Sequence, residues 1–227
     1  MPARSRRPPV AEELRSEEEQ LEAIKRWWSE NGKSLIAGVV LAGAGVFAFK
    51  AWQNYEASQS EAASVRYQQL ISLVSQPKLE DAGVKQARTL IGELESEHGD
   101  SLYTQMAHLL DASMSVKAND LDAAATALQS VIDNSDDSYL QGLASLRLAR
   151  INVERGDNDA ALALLKSPPA PLAAQAAAVR GDALAAQDKR DEAIAAYQQA
   201  STLSQESGQP VYGLDLKLAD LAAESSS

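Results

Sequence analysis

KSLIAGVVLAGAGVFAFKAW, residues Lys33–Trp52, is the stretch that divides this chain into two parts. Its central sixteen residues, Ser34–Phe49, carry no charge. If the Lys50 ammonium extends toward the lipid headgroups, the usable span reaches Trp52 and forms a helix of about nineteen residues, roughly 28 Å long. That length matches the hydrocarbon core of a bilayer. We therefore predict an uncleaved transmembrane signal anchor over residues 33–53.

Amphipathic aromatic side chains flank this stretch on both sides, where such rings settle at the two membrane interfaces. Trp27 and Trp28 precede it, and Trp52 and Tyr55 follow its uncharged part. The alternative is a buried helix of a soluble domain, which the shortness of the uncharged part leaves open. A cleaved signal peptide fits less well, because the residues before the span are too many and too acidic for an n-region.

The basic residues near the span are distributed unevenly. Seven Lys and Arg residues precede the apolar run, whereas the next basic residue after Lys50 is Arg66. Because Lys and Arg beside a span tend to remain in the cytoplasm, we predict that residues 1–32 form a cytoplasmic arm. Residues 54–227 then lie outside the cytoplasm, which in a Gram-negative cell is the periplasm.

The cytoplasmic arm has two parts. Residues 1–10 contain three prolines and three arginines without apolar periodicity, which predicts a disordered tip. From Ala11 to Ser29 the apolar residues recur on one face, which predicts an amphipathic juxtamembrane helix. This helix is either a solvated approach to the membrane or a small cytoplasmic docking surface.

The part of the chain after the span is large enough to bury a core and is acidic. Residues 53–227 carry thirteen Lys and Arg against twenty-five Asp and Glu, a net charge of about −12. That charge opposes binding to nucleic acid and to anionic lipid. The sequence contains no cysteine, which excludes disulfides, thiolate zinc sites and thiol nucleophiles from these residues.

Four alanines recur in the acidic part at intervals of thirty-seven, thirty-seven and thirty-two residues, and each is followed four residues later by a large side chain. The alanines are Ala87, Ala124, Ala161 and Ala193, and the large residues are Ile91, Leu128, Leu165 and Tyr197. A small side chain lets two antiparallel helices approach closely, and the large one fills the gap between neighbouring hairpins. The pattern therefore predicts stacked helical hairpins.

Turn sequences before three of these alanines indicate where the hairpins fold back, and we predict Asp122, Asp159 and Asp191 as helix N-caps. The predicted first helices of these hairpins are Leu102 to Lys117, Leu140 to Arg155 and Leu172 to Gln187. Turns are predicted between hairpins at Asn134–Asp137 and Ser167–Pro171. A helix over Ala57–Val74, stopped by Gln76 and Pro77, precedes the array, and a solvating cap helix over Gln209–Glu224 ends it, with Glu224–Ser227 frayed.

This spacing resembles the tetratricopeptide repeat (TPR), and its best copy is Gly181, Leu184, Ala193, Tyr197 and Ala200. The early aromatic residue of that repeat is absent throughout, and the second unit lacks its usual glycine and tyrosine. The alternative is an arbitrary alanine-rich bundle. We predict an all-α fold in which one transmembrane helix is followed by a TPR-like hairpin solenoid with a C-terminal capping helix.

The first helix of each TPR hairpin lines the concave face of the array. Its concave positions fall on Met106, Leu109, Ser113 and Val116 in one hairpin and on Leu143, Leu146, Arg150 and Val153 in the next. This row is mostly apolar with one cation, which suits an apolar helix or an extended hydrophobic segment of a partner. A true groove leaves Leu109, Leu146 and Val153 partly exposed, whereas a register error of one residue makes them core.

The ingredients of a catalytic site are scarce. The two histidines, His98 and His108, lack the spacing to another ligand that marks a metal site, and both are expected to be ordinary surface or partly buried residues. No phosphate-binding glycine loop and no Gly-x-Ser-x-Gly motif occurs. We therefore predict no enzyme activity, no cofactor and no metal.

The order of parts carries a family resemblance. The segment EEEQLEAIKRWWSENGKSL, Glu17–Leu35, followed by one span and degenerate repeats, resembles the ancillary subunit of the SecYEG translocon of Gram-negative bacteria, the YfgM-like family. The resemblance covers essentially the whole chain. It implies a single-pass inner-membrane protein with a cytoplasmic N-terminus, whose periplasmic repeat domain works beside the translocon with a membrane-anchored chaperone of the PpiD type.

What the resemblance implies is a non-enzymatic adaptor. Its expected partners are the SecYEG translocon, a PpiD-like periplasmic chaperone and, as a further candidate, translocated client polypeptides, with the lipid bilayer around its one span and no nucleic acid. The alternative is a scaffold or regulator in envelope-stress or division signalling that acts through the cytoplasmic arm.

Overall fold

The computed structural model of the protein describes residues 10–76 and 80–224. Over these residues the chain forms nine α-helices and one 3₁₀ turn, with no strand. The helices are α1 Val10–Val74, α2 Asp81–His98, α3 Leu102–Lys117, α4 Leu121–Asn134, α5 Ser138–Glu154, α6 Asn158–Leu164, α7 Ala173–Ala186, α8 Arg190–Ser207 and α9 Leu214–Glu224; the 3₁₀ turn is Ala170–Leu172. The all-α prediction is confirmed. The predictions made for residues 1–9 and 225–227 lie outside the described residues.

Helix α1 covers the predicted juxtamembrane helix, the predicted span and Ala57–Val74 without a break. No proline occurs between Val10 and Val74, so nothing removes a donor from its hydrogen-bond ladder. The helix ends at Val74, just before Gln76 and Pro77, which were predicted to stop it. The chain divides into two units, residues 1–58 and residues 59–227.

The first unit exposes its apolar side chains. Helix α1 contains a stretch long and apolar enough to cross a membrane, and none of that stretch is buried against protein. Leu41 is 72% exposed and Phe47 is 79% exposed. A core helix of a soluble domain would be covered by protein along this stretch, so the exposure favours the membrane interpretation over that alternative.

The second unit is a succession of antiparallel helices in which each helix contacts the next, from α2 to α9. The four recurring alanines all lie at helix crossings and are fully buried, and the large side chain four residues after each is buried as well. At Gly181 an added Cβ would collide with the ring of Tyr197, which shows how closely α7 and α8 approach. The repeat predicted from the alanine spacing is therefore the packing unit of the domain.

The core of this unit is a row of four clusters within the residues that the structure describes. The first joins residues 59–74 of α1 to α2 and α3, and the second joins α3, α4 and α5. The third joins α5, α6 and α7, and the fourth joins α7, α8 and α9. Each cluster is thus shared by neighbouring hairpins, which is the arrangement of a solenoid.

The turn inside three of the hairpins has one repeated geometry. Asn119, Gly156 and Asp188 follow the ends of α3, α5 and α7 and adopt left-handed φ angles of 57°, 79° and 59°. The N–H of the next residue then donates to a carbonyl five residues earlier, as from Asp120 to Ser115 over 2.9 Å. This Schellman motif satisfies the last carbonyls of one helix and ends where the next helix begins.

The predicted N-caps Asp122, Asp159 and Asp191 are wrong by two residues. The caps are Asp120 and Asp157, which accept from the amides of Ala123 and Ala160 over 3.0 and 3.4 Å, and Lys189, whose side chain makes no capping hydrogen bond. The reason is the Schellman motif, because its last residue already serves as the cap of the following helix. The predicted carboxylates lie two residues later, in the first turn of each helix, where Asp122 accepts from Arg155 over 2.6 Å and Asp159 accepts from Gln187 over 2.8 Å.

Two further elements differ from their predicted bounds. Helix α6 has only seven residues, because Pro168 and Pro169 follow within one turn of its end and cannot continue a helix. Helix α9 begins at Leu214 rather than Gln209, after Gly213 at a φ of 80°. Its face carrying Leu214, Leu218 and Leu221 packs on the α7–α8 hairpin as predicted for a capping helix.

Candidate partner-binding groove

The predicted partner-binding residues lie on α3 and α5, but the structure separates them into core and surface. Leu109 is 8% exposed and Leu146 is 1% exposed, so the expectation that they remain partly exposed is wrong. Leu109 packs in the cluster of α3, α4 and α5, and Leu146 packs in the cluster of α5, α6 and α7. These two leucines hold the hairpins together and are unavailable to a partner.

The remaining predicted residues are more accessible. Val116 is 47% exposed, and Ser113 and Arg150 are exposed. Met106, Leu143 and Val153 are half-buried, and the latter two also pack against the core clusters. On both helices the more exposed of the predicted residues come later in the helix than the buried leucine. The candidate groove therefore lies toward the C-terminal ends of α3 and α5.

A groove of about 690 Å³ opens at this place. Its apolar floor is formed by the exposed Val116 and the half-buried Leu121, above the buried side chains of Ala112, Leu128 and Ile151. Its polar lining consists of Ser113, Lys117, Asn119, Arg147, Arg150 and Glu154. The groove is therefore formed by two successive hairpins. Helix α3 forms one wall and α5 forms the other, and the α3–α4 turn with the start of α4 closes the end between them. Its volume lies within the range typical of binding sites.

The charge of this groove differs from the expectation. One cation, Arg150, was predicted on the row, whereas the structure places Lys117, Arg147 and Arg150 around the same cavity. Lys117 and Arg147 lie outside the row of concave repeat positions, which is why the repeat register alone did not identify them. The sequence did contain a signal for Arg147. This residue precedes Arg150 by three positions, and residues at that spacing share a helix face.

The positive charges of the two arginines are only partly offset, by Tyr139 near Arg147 and by Glu154 in the groove lining. Among the residues that the structure describes, neither Arg147 nor Arg150 makes a hydrogen bond or an ion pair within this chain. Burial, with a further contribution from the neighbouring Arg150 charge, lowers the pKa of the Arg147 guanidinium from its ordinary value. Both causes disfavour the charged form, so an anionic group in this groove would stabilise the arginine pair.

The histidines form no comparable site. His98 is partly buried, as the sequence allowed, and its ring nitrogens have no hydrogen-bond partner, whereas His108 is buried in α3 and is less exposed than expected. Within residues 10–76 and 80–224 no group of three or more His, Cys, Asp or Glu side chains is placed to hold a metal ion.

Comparison with known proteins extends this description. Residues 25–223 match a family model described as a tetratricopeptide repeat-like domain. The chain is 31% identical over 184 residues to a protein of Escherichia coli K12, a match that covers 81% of this chain and 86% of the relative. It is 30% identical over 185 residues to a protein of Haemophilus influenzae, covering 78% and 88%. It is 33% identical over 186 residues to one of Aggregatibacter actinomycetemcomitans, covering 81% and 88%. All three are named ancillary SecYEG translocon subunit.

Proposed function

Because this chain belongs to the family of ancillary SecYEG translocon subunits, we propose that it is a membrane-tethered adaptor of the Sec translocon. In this proposal the protein performs no catalysis. It is held in the inner membrane by α1 and uses its repeat domain to recruit periplasmic chaperones to newly translocated polypeptides. The observation that carries the proposal is that the similarity to translocon subunits covers 78–81% of the chain at 30–33% identity.

The membrane part of the proposal is supported by exposure and charge. The apolar stretch of α1 is uncovered by protein, and a helix of that composition is stable only when lipid or another apolar surface surrounds it. The excess of Lys and Arg before the span favours a cytoplasmic N-terminus and a periplasmic repeat domain. In this orientation the repeat domain lies in the compartment where translocated polypeptides emerge.

The recruiting part of the proposal rests on the groove between α3 and α5. TPR-like arrays present curved surfaces that bind segments of other proteins, and this groove is accessible and unfilled by the chain's own described side chains. We propose that Val116 and Arg150, which line the groove, contribute to the contact with a PpiD-like chaperone, together with the half-buried Met106, Leu143 and Val153 on the same two helices. Client polypeptides are a second candidate occupant of the same groove.

Affinity purification from detergent-solubilised membranes tests this function. The full chain is compared with a chain that ends at Ser58 and with an armless chain that begins at Leu21, which lacks the first twenty residues but keeps Lys25, Arg26 and Lys33 beside the span to preserve its orientation. The expected result is that the full chain and the armless chain retain both the translocon and a periplasmic chaperone, and that the chain ending at Ser58 loses the chaperone. If every partner requires the arm and none requires the repeat domain, the alternative role in cytoplasmic signalling replaces the adaptor.

A further inference from the structure

Most arginines of the repeat domain have an acceptor within the chain, whereas none is found for the groove arginines; outside the groove, Nε and Nη2 of Arg190 are also without a hydrogen-bond partner among the described residues. Acceptors within the chain are found for Arg66, Arg88, Arg155 and Arg180. Arg147 and Arg150 line the groove without such a partner among the residues that the structure describes, although the domain has about twice as many acidic as basic side chains. One carboxylate, that of Glu154, lines the same groove, so three cationic side chains and one anionic side chain surround it.

The position of the pair favours a bound anion. Arg147 is half-buried and Arg150 is exposed three residues later on the same helix. Two like charges close together, one of them partly removed from water, raise the free energy of the unoccupied protein. A carboxylate placed between them would form charge-assisted hydrogen bonds with planar donor groups that suit its geometry. Lys117 on the opposite wall adds a third positive charge to the same cavity.

The floor of the groove places a second requirement on the occupant. Val116, which is 47% exposed, and the half-buried Leu121 contribute an apolar surface to the same cavity as the cations. A small inorganic anion would satisfy the arginines and leave this apolar surface in contact with water. A segment that presents apolar side chains to the floor and acidic side chains to the walls satisfies both parts of the groove.

We propose that this groove binds an acidic amphipathic segment of a partner protein, with its carboxylates on Arg147 and Arg150 and its apolar side chains on the floor around Val116 and Leu121. The inference rests on the proposed adaptor function in taking the occupant to be a protein. Its test uses a defined peptide. Failure of the peptide to bind while the translocon still co-purifies would contradict this inference alone, and loss of the translocon while the peptide still binds would contradict the adaptor function alone.

An anionic membrane surface fits the same site less well. The cations line a cavity between two helices, whereas a bilayer would contact the outer surface of a domain that carries a net charge of about −12 and is repelled by it. Glu154 on the same wall opposes lipid phosphates and peptide carboxylates alike, and it leaves the groove with a local excess of two positive side chains. For a single short segment the distant acidic side chains are screened beyond about 8 Å at physiological ionic strength, so the local cations dominate.

The test is a binding titration with the purified full chain in detergent. The probe is a fluorescent peptide of about 14 residues, roughly four helical turns, with Leu at spacings of three and four and Glu at the other positions. A second peptide carries Gln in place of each Glu. We expect the acidic peptide to bind and the Gln peptide to bind at least about tenfold more weakly, as the loss of charge-assisted hydrogen bonds predicts.

The protein variants separate the effect of the two groove arginines on binding from the effect of the protein's net charge. R147Q/R150Q is expected to weaken binding of the acidic peptide by about tenfold or more, whereas K85Q/K166Q, which removes two exposed positive charges outside the groove, leaves it unchanged. If the double variant does not fold, R150Q alone, at an exposed position, replaces it. Equal binding of the two peptides, or full binding by the arginine variants, overturns the proposal. So does binding of vesicles rich in phosphatidylglycerol that depends on both arginines when the acidic peptide does not bind.

Discussion

Among single residues, Gly181 and Tyr197 show most directly how the repeat pattern becomes structure. The ring of Tyr197 occupies the space where a Cβ on Gly181 would lie. The Tyr197 hydroxyl donates to Asp182 over 2.7 Å, and Asp182 also accepts from Lys217 of α9. Burial and the neighbouring carboxylate raise the pKa of the Tyr197 hydroxyl, so this side chain stays protonated and remains a donor. One close contact thus ties the last hairpin to the capping helix.

Substitution of Gly181 by Ala should destabilise the repeat domain by about 1–3 kcal/mol, because the added methyl group overpacks the α7–α8 crossing. The matched control is Gly92→Ala in α2, where a Cβ meets nothing within 4 Å. There alanine should stabilise the helix by about 1 kcal/mol. Urea unfolding of the full chain in detergent, followed by far-ultraviolet circular dichroism, measures both. Equal effects of the two substitutions would contradict the close crossing.

The burial of Leu146 gives a second test at this scale. Leu146→Glu should unfold the α5–α7 region, since it places an unpaired charge in a cluster where the leucine is 1% exposed. The expected cost is at least about 3 kcal/mol. Val116→Glu, on a side chain that is 47% exposed, should leave the domain folded. Limited proteolysis distinguishes the two, and a protease-resistant Leu146→Glu protein would show that this position is not core.

At the level of the helices, the sequence correctly predicted the features that recur with the packing repeat. It did not predict the N-caps correctly, because their positions depend on the geometry of each turn. The bounds of α3 were predicted at Leu102 and Lys117, and the buried alanines were identified from spacing alone. Both follow from local periodicity, which the sequence displays directly. The N-caps were displaced because the left-handed residues Asn119, Gly156 and Asp188 shorten each turn. That conformation is fixed by backbone hydrogen bonds at the end of the preceding helix, such as that from the Asp120 N–H to the Ser115 carbonyl, and residue composition alone does not specify where that helix ends.

The displaced caps provide a prediction at the scale of one helix. Asp120→Ala should cost about 1 kcal/mol, because it removes the acceptor for the Ala123 amide at the start of α4. Asp191→Ala removes only a favourable charge from the first turn of α8 and should cost roughly 0.3 kcal/mol. The same unfolding measurement compares them. A larger effect at Asp191 would support the caps predicted from the sequence and contradict those observed.

The groove shows a limit of the same kind. Repeat register placed the correct helices, α3 and α5, at the candidate site, but it did not distinguish Leu146 in the core from Arg150 at the surface. Exposure along these helices depends on how neighbouring hairpins stack, including a helix α6 that is cut short by prolines. Lys117 and Arg147 were missed because they join the cavity through that stacking rather than through the repeat positions.

For the molecule as a whole, the orientation in the membrane decides whether the repeat domain can meet translocated proteins. Basic residues before the span predict that alkaline phosphatase fused after Ser227 is active in a Gram-negative host and that a fusion at Ser29 is inactive. Fusion activity normalised to protein level is the measurement. The reverse pattern would place the repeat domain in the cytoplasm and remove the basis of the adaptor proposal.

The central claim is that the groove between α3 and α5 is the surface through which this translocon-family protein engages a periplasmic partner. A photo-crosslinking amino acid at Val116, on the floor of the groove, tests it in living cells, with Gln198 on α8 as an exposed control outside the groove. We predict cross-links from Val116 to a periplasmic chaperone or a translocating polypeptide, reduced in R147Q/R150Q and absent from Gln198. Identical products from both positions, or no product from Val116 while the translocon still co-purifies, would contradict the claim.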